Sequence, residues 1–345
     1  MGASLLAFST YCGYLWATYE KDVAKSQSLQ VPDDMSHRFN EIAQEYDSEV
    51  ELGERVMRLS ARRKELVCMA RGDVLEVSCG TGRNMAYYQL GERRGINEKS
   101  GRGEIQGCRS VTFVDLSPEM VDIARRKFGR LFPSMTDSDL GKGRGFSRVA
   151  FSAISARELS PPFAFKSEFF GDSSSASQSA PVAFRSNMSV GTVGSPSFGT
   201  GAGDASESIV DMESTAADST WSTSKPEYFD TVLQTMGLCS TPDPVGMLQH
   251  LGNITEPEHG RILLLEHGRS YYHWLNAILD KLAAAHAARY GCWWNRDIEQ
   301  IVEQSGLEVV DIQRYHLGTT WRVILRPKKS KPLGTGLGGQ QEALR

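Results

Sequence analysis

The six cysteines of this 345-residue chain contain no C-x-x-C pair and no spacing typical of a disulfide framework. That excludes a cysteine-stapled scaffold, and no zinc site or other metal site is expected. An excess of either charge is missing too. Lys and Arg number 38 against 42 Asp and Glu, and a net charge of −4 leaves no global basic footprint for nucleic acid. Between Gly2 and Tyr19 no side chain is charged. This run has no basic stretch before it and no small-x-small cleavage site, which argues against a cleaved secretion signal, and no Arg-rich amphipathic transit segment is present. Residues 1–19 therefore read as a transmembrane anchor, at the short end of the ~20 residues a span requires. Tyr14, Trp16 and Tyr19 are its interface aromatics. A helix buried against the rest of the protein is the competing reading.

What is present is the composition of a globular protein, 40% hydrophobic and 23% charged. Residues 20–34 read as a polar tether. Residues 35–327 read as one α/β domain, with a Ser/Gly-rich disordered insertion over 163–225 and a basic, Gly-rich disordered tail over 328–345. Such a stretch buries too little apolar surface to offset its chain entropy. Phe39, Ile42, Ala43 and Tyr46 recur at helical spacing within a predicted helix over 36–66. Seven strands are predicted: 73–77, 111–115, 149–152, 228–239 (with its exit), 260–267, 306–315 and 319–325. The first five alternate with helices, which predicts a mostly parallel, Rossmann-like sheet with helices on both faces. The last two form an antiparallel pair. The Gly-, Arg- and Lys-rich stretch 91–109 reads as a surface insertion.

The chemistry concentrates after the first two strands. Val-Leu-Glu-Val-Ser-Cys-Gly-Thr-Gly-Arg-Asn at 74–84 is a strand, a glycine loop and a predicted helix start near Asn84. A loop of this kind lets backbone N–H groups approach a ligand closely. Val111–Met120 repeats the design, with Asp115 at the strand end placed to bind the two hydroxyls of a ribose. The acidic strand ends lie 39 positions apart (115 − 76), against ~20 in a dinucleotide fold. The first glycine of the dinucleotide fingerprint is replaced by Ser78. Glu76 just before the loop would repel a pyrophosphate and suit a cation.

The pattern E-x-[GS]-x-G-x-G followed by a second acidic strand end resembles the class I S-adenosylmethionine-dependent methyltransferases. Further segments narrow the likeness: Arg38-Phe39-Asn40 with Tyr46-Asp47, Phe229-Asp230-Thr231-Val232, Leu265-Glu-His-Gly-Arg269 and Gly291-Cys-Trp-Trp-Asn-Arg-Asp297. They resemble the Oms-type methyltransferases of the fungal mitochondrial inner membrane and, more distantly, thiol and quinone methyltransferases. The resemblance implies a class I seven-stranded fold, S-adenosyl-L-methionine as cofactor and a single membrane anchor in the mitochondrial inner membrane. The expected cofactor contacts are Glu76, Ser78, Cys79, Gly80, Gly82, Asn84, Asp115, Leu116, Met120, Ser155, Ala156 and Gln234. Ser155-Ala156 stands where such enzymes often carry Asp-Ala, so the carboxylate is missing there.

His267 is the candidate general base, because imidazole titrates near neutral pH. A strand-end histidine bonded to backbone is the plainer alternative. The expected activity is methyl transfer to a small-molecule acceptor, lipophilic or thiol, at a membrane. A fold-retaining, non-catalytic assembly factor is the alternative. An RNA methyltransferase would need a basic face, which is lacking outside 91–109 and the tail.

Overall fold

The computed structural model describes residues 2–96, 101, 103–133, 148–159 and 228–328. The insertion expected over 163–225 and the tail beyond Lys328 lie outside them. Continuous apolar runs make the central strands, because a parallel sheet covered on both faces buries every residue. β1 (Arg71–Val77) carries Val74 and Leu75 fully buried, and β6 (Arg261–His267) buries Ile262 to Leu265 completely. With β3 (Gly103–Asp115), β4 (Arg148–Ala153) and β5 (Thr231–Thr235) they pair in parallel, in the order β4-β3-β1-β5-β6. β8 (Thr320–Arg326) joins β6 antiparallel, and β7 (Glu308–Tyr315) joins β8 as the sheet's edge. The β7 ladder slips between Val309 and Asp311, and Val309, Val310 and Ile312 are exposed. Strand order reverses between β1 and β5, the place where open α/β sheets bind ligands beyond the strand C-termini.

Helices cover both faces, as expected. On one side Val121, Ala124 and Phe128 of α5 (Pro118–Leu131) and Leu66 and Val67 of α4 (Leu59–Val67) meet Val74, Val111 and Phe113. On the other, α6 (Pro244–Ile254) and α8 (Ile298–Ser305) set Leu248, Leu251, Ile298 and Val302 against Leu75, Val232 and Leu264. Each such aliphatic side chain contributes about 1.5–3 kcal/mol by burial. α5 begins cleanly because Ser117 accepts the Met120 N–H and Pro118 sits in the first turn.

Several expectations need correction. Among the described residues the sheet has eight strands. β2 (Arg93–Ile96) runs antiparallel to the first half of β3, making an arm out of residues read as an insertion. Its residues are mostly exposed, so they carry no apolar alternation to betray a strand. No helix follows β1. Only a 3-10 turn forms at Met85–Tyr87, after which Leu90 bridges Cys108. The predicted helix 36–66 is three: α2 (Ser36–Ile42), α3 (Tyr46–Val56) and α4. Arg58, left-handed at φ 51°, turns the chain between the last two.

α8 begins at Ile298 because the carboxylate of Asp297, just before it, accepts the Gln300 N–H. α1 (Gly2–Ser28) runs on past Tyr19, where Glu20, Lys21, Ala24, Lys25 and Gln27 favour helix, so residues 20–28 are helical. It lies against α7 (His273–Tyr290), where Val23 and Ser26 are buried and Ser26 Oγ accepts the Ala285 N–H at 3.1 Å. Among the described residues no helix is long and apolar enough to cross a membrane. The anchor expected over 1–19 therefore has no such helix to represent it.

Candidate active site

The C-terminal ends of β1, β3, β4 and β5 open into a cavity of ≈ 350 Å³, within the roughly 300–1,000 Å³ common for small-molecule sites. Ser78, Cys79, Gly80, Asp115, Leu116, Met120, Ser155 and Ala156 line it, all expected from the sequence. Asp115 organises the floor. Its Oδ2 accepts the Gly80 N–H at 2.9 Å and its Oδ1 the Ser117 N–H at 3.0 Å. A carboxylate has about four acceptor sites, so each oxygen keeps capacity for a ligand hydroxyl. Burial raises the Asp115 pKa above its ordinary value against the pull of the Ser117, Gly80 and Leu116 N–H groups.

The loop conformation explains its composition. Ser78, Gly80 and Gly82 all take positive φ, at 53°, 53° and 77°. Glycine adopts this region freely, whereas a side chain there costs roughly 1–2 kcal/mol. Ser78 occupies a glycine position, and its Oγ accepts from Gln234 Nε2 at 3.2 Å.

Four expected contacts do not line the cavity. Glu76 is 1% exposed, and its carboxylate accepts Asn84 Nδ2 at 2.9 Å and the Tyr88 hydroxyl at 2.6 Å. Burial pushes its pKa up to about 7, although Tyr88, Asn84 and Arg63 all pull it down. Its carboxyl is thus bonded inside the protein and is not part of the cavity wall. Asn84, Gln234 and Gly82 likewise support the loop from behind, Gly82 leaving room for the Met85 side chain. Ser155 lines the cavity, and its hydroxyl accepts the Arg157 N–H at 3.3 Å to cap the turn after β4. His267 also lies off the cavity wall, its Nε2 2.6 Å from Cys292 Sγ.

Sequence reasoning missed the roof's attachment. Tyr46 and Phe39 do reach the cavity, their rings 6.4 Å apart. Asp47 on α3 accepts Thr81 Oγ1 at 2.6 Å, Arg83 at 2.9 Å and Lys127 at 3.0 Å. Glu54 takes Arg83 at 2.9 Å and buried Arg63 at 2.8 Å. These pairs join residues up to 80 positions apart, and only the Tyr46-Asp47 segment hinted at them.

S-adenosylmethionine fits this cavity on the structure's own terms. A strand-end carboxylate with spare acceptor capacity suits a ribose diol. A glycine loop whose Gly80 has no atom within 4 Å of a would-be Cβ leaves its backbone open to close approach. Phe39, Ile154, Leu116 and Met247 offer apolar walls to a base.

A family model described as a methyltransferase domain matches residues 42–312. The mitochondrial methyltransferase OMS1 of Saccharomyces cerevisiae is 32% identical over 296 residues, covering 86% of this chain, which spans only 46% of that protein's length. Among solved structures, magnesium protoporphyrin IX methyltransferase of Synechocystis PCC 6803 with bound SAH is 11% identical, over 85% of this chain and 100% of its own, at a TM-score of 0.42. The DhpI–SAH complex is 14% identical, over 86% and 95%, at 0.43. The match over most of the folded domain decides the family: the chain belongs to the methyltransferase-domain family.

Proposed function

We propose that this protein transfers a methyl group from S-adenosylmethionine to a small-molecule acceptor in mitochondria. The carrying observation is Asp115, fixed by the Gly80 and Ser117 N–H groups on the floor of a ≈ 350 Å³ cavity at the sheet's switch point. When bound, the cofactor supplies an electrophilic methyl on a sulfonium. The chain's own part is then binding, alignment and exclusion of water. Asp115 holds a diol, Gly80 lets the backbone come close, and Ser155 and Ala156 close the side beyond β4. Tyr46 and Phe39 roof the space, held down by the Asp47 and Glu54 ion pairs, and Ser240 and Thr241 complete the lining beyond β5. The mitochondrial setting is supported by the yeast relative. A membrane-proximal acceptor is supported by Phe8, Tyr11, Tyr14, Leu15 and Trp16, exposed together on α1. Titration calorimetry on the full chain tests the reading. Heat is expected with S-adenosylmethionine and with its demethylated product, and its loss in Asp115→Ala. Silence with both ligands in protein shown to be folded defeats it.

A further inference from the structure

We propose that Cys239, His267 and Cys292 form a binding site for one zinc ion beside the cavity. The three side chains come from separate segments: the turn after β5, the end of β6, and the loop after α7. They stand 28 and 25 positions apart (267 − 239 and 292 − 267), so no short motif announces them. In the fold the donor atoms all lie within 4.8 Å of one another. Cys239 and Cys292 are buried and Cys292 Sγ is 2.6 Å from His267 Nε2. Two sulfurs and an imidazole are a soft, mixed donor set that suits zinc, and three protein donors leave a fourth tetrahedral position for water or another ligand.

The frame around the donors is built to hold them. Glu266, next to His267, accepts the Gly237 and Leu238 N–H groups at 3.0 and 3.2 Å and so fixes the turn bearing Cys239. The Trp293 N–H, next to Cys292, donates to the Cys239 carbonyl at 3.0 Å. Gly291 caps α7 at φ 70° and aims the chain at this point. Ligands gripped by neighbours in this way are the usual condition of a metal centre. Zn–S of ~2.3 Å and Zn–N of ~2.0 Å at a tetrahedral angle set sulfur and nitrogen about 3.5 Å apart. The Cys292–His267 pair therefore opens by about 1 Å on loading, a rotamer adjustment. Gly237 and Ser240, which flank Cys239, line the cavity. The ion thus sits directly behind the wall of that cavity. This proposal stands independently of whether methyl transfer is the activity.

Reduced, chelator-stripped full-length protein titrated with Co²⁺ alone, then with Zn²⁺ alone, provides the test. One equivalent of Co²⁺ is expected to give intense visible bands and a near-ultraviolet sulfur-to-metal charge-transfer band, and one equivalent of Zn²⁺ to abolish them. The double variant Cys12→Ser/Cys68→Ser, which removes the two exposed thiols, keeps the full titration. Cys239→Ser and Cys292→Ser each lower the affinity by at least ~100-fold, beyond the 10–100-fold typical of a merely supporting residue. If those variants misfold, the wild type and the exposed-thiol variant still decide. Cobalt spectra without thiolate charge transfer overturn the site. So does a stoichiometry that falls with Cys12 and Cys68, or a Cys239–Cys292 disulfide that persists in reductant and takes up no metal.

Discussion

Replacing Glu76 with glutamine is expected to remove a pH-dependent weakness from the fold. The Glu76 carboxylate is 1% exposed and accepts from Asn84 and Tyr88. Burial is the largest influence on it and raises its pKa from 4.5 to about 7. Between those values the folded chain holds a proton that the unfolded chain has released. Stability from this group is thus fully present below pH 4.5 and is lost as pH rises through about 7. A shift of this size corresponds to about 3 kcal/mol, at 1.36 kcal/mol per unit. In Glu76→Gln the amide oxygen still accepts from Asn84 and its NH₂ donates to the Tyr88 oxygen, so the packing survives. Urea unfolding of both proteins at intervals from pH 4.5 to 8.5 measures the effect. The variant is expected to match the wild type near pH 4.5 and to exceed it progressively, by about 2–3 kcal/mol, at pH 8. Other titrating groups cancel in the difference. Parallel stability curves across that range would refute the assignment of the proton to Glu76.

Gly80→Ala costs about 1 kcal/mol in thermal or urea unfolding, because φ 53° strains a side chain while the space around it is open. The same variant loses S-adenosylmethionine heat in calorimetry, since the new methyl group enters the cavity; unchanged affinity would argue against backbone approach at Gly80. Asp47→Asn weakens the roof by about 1 kcal/mol, a charge-assisted contribution discounted for the partial exposure of Asp47. Burial alone would raise the Asp47 pKa, but bonds from Thr81, Lys127 and Arg83 outweigh it and lower it. Its contribution is therefore present above the ordinary carboxylate pKa and is lost as pH falls through the folded value. An Asp47→Asn difference that grows with acidification, in the same urea series, would contradict this sign.

The parts of the fold legible in sequence are those written locally. Ile262 to Leu265 is a short apolar run after Gly260 of the length of a buried strand, and Ser117-Pro118 marks a helix start by its own chemistry. Asp115 and Gly80 were legible for the same reason, since a strand end and its turn are adjacent in the chain. Glu76 misled because a carboxylate before a glycine loop does not reveal which way it faces. Its partners Asn84 and Tyr88 became visible only once the expected helix collapsed to a single turn. The Arg63–Glu54–Arg83 pairs and the Cys239–His267–Cys292 group join segments that meet only through the sheet, so no spacing encodes them. The β2 arm was hidden because a strand exposed on both faces has no reason to alternate.

The slip in β7 has a consequence for how the molecule behaves in company. An outermost strand offers free amide and carbonyl groups to any extended chain that drifts past, and Val309, Val310 and Ile312 would reward such a visitor. The dislocation at Val310 denies it a continuous register, breaking the ladder into Glu308–Val309 and Asp311–Tyr315. Greasy residues can remain on this rim without turning each copy into a template for the next.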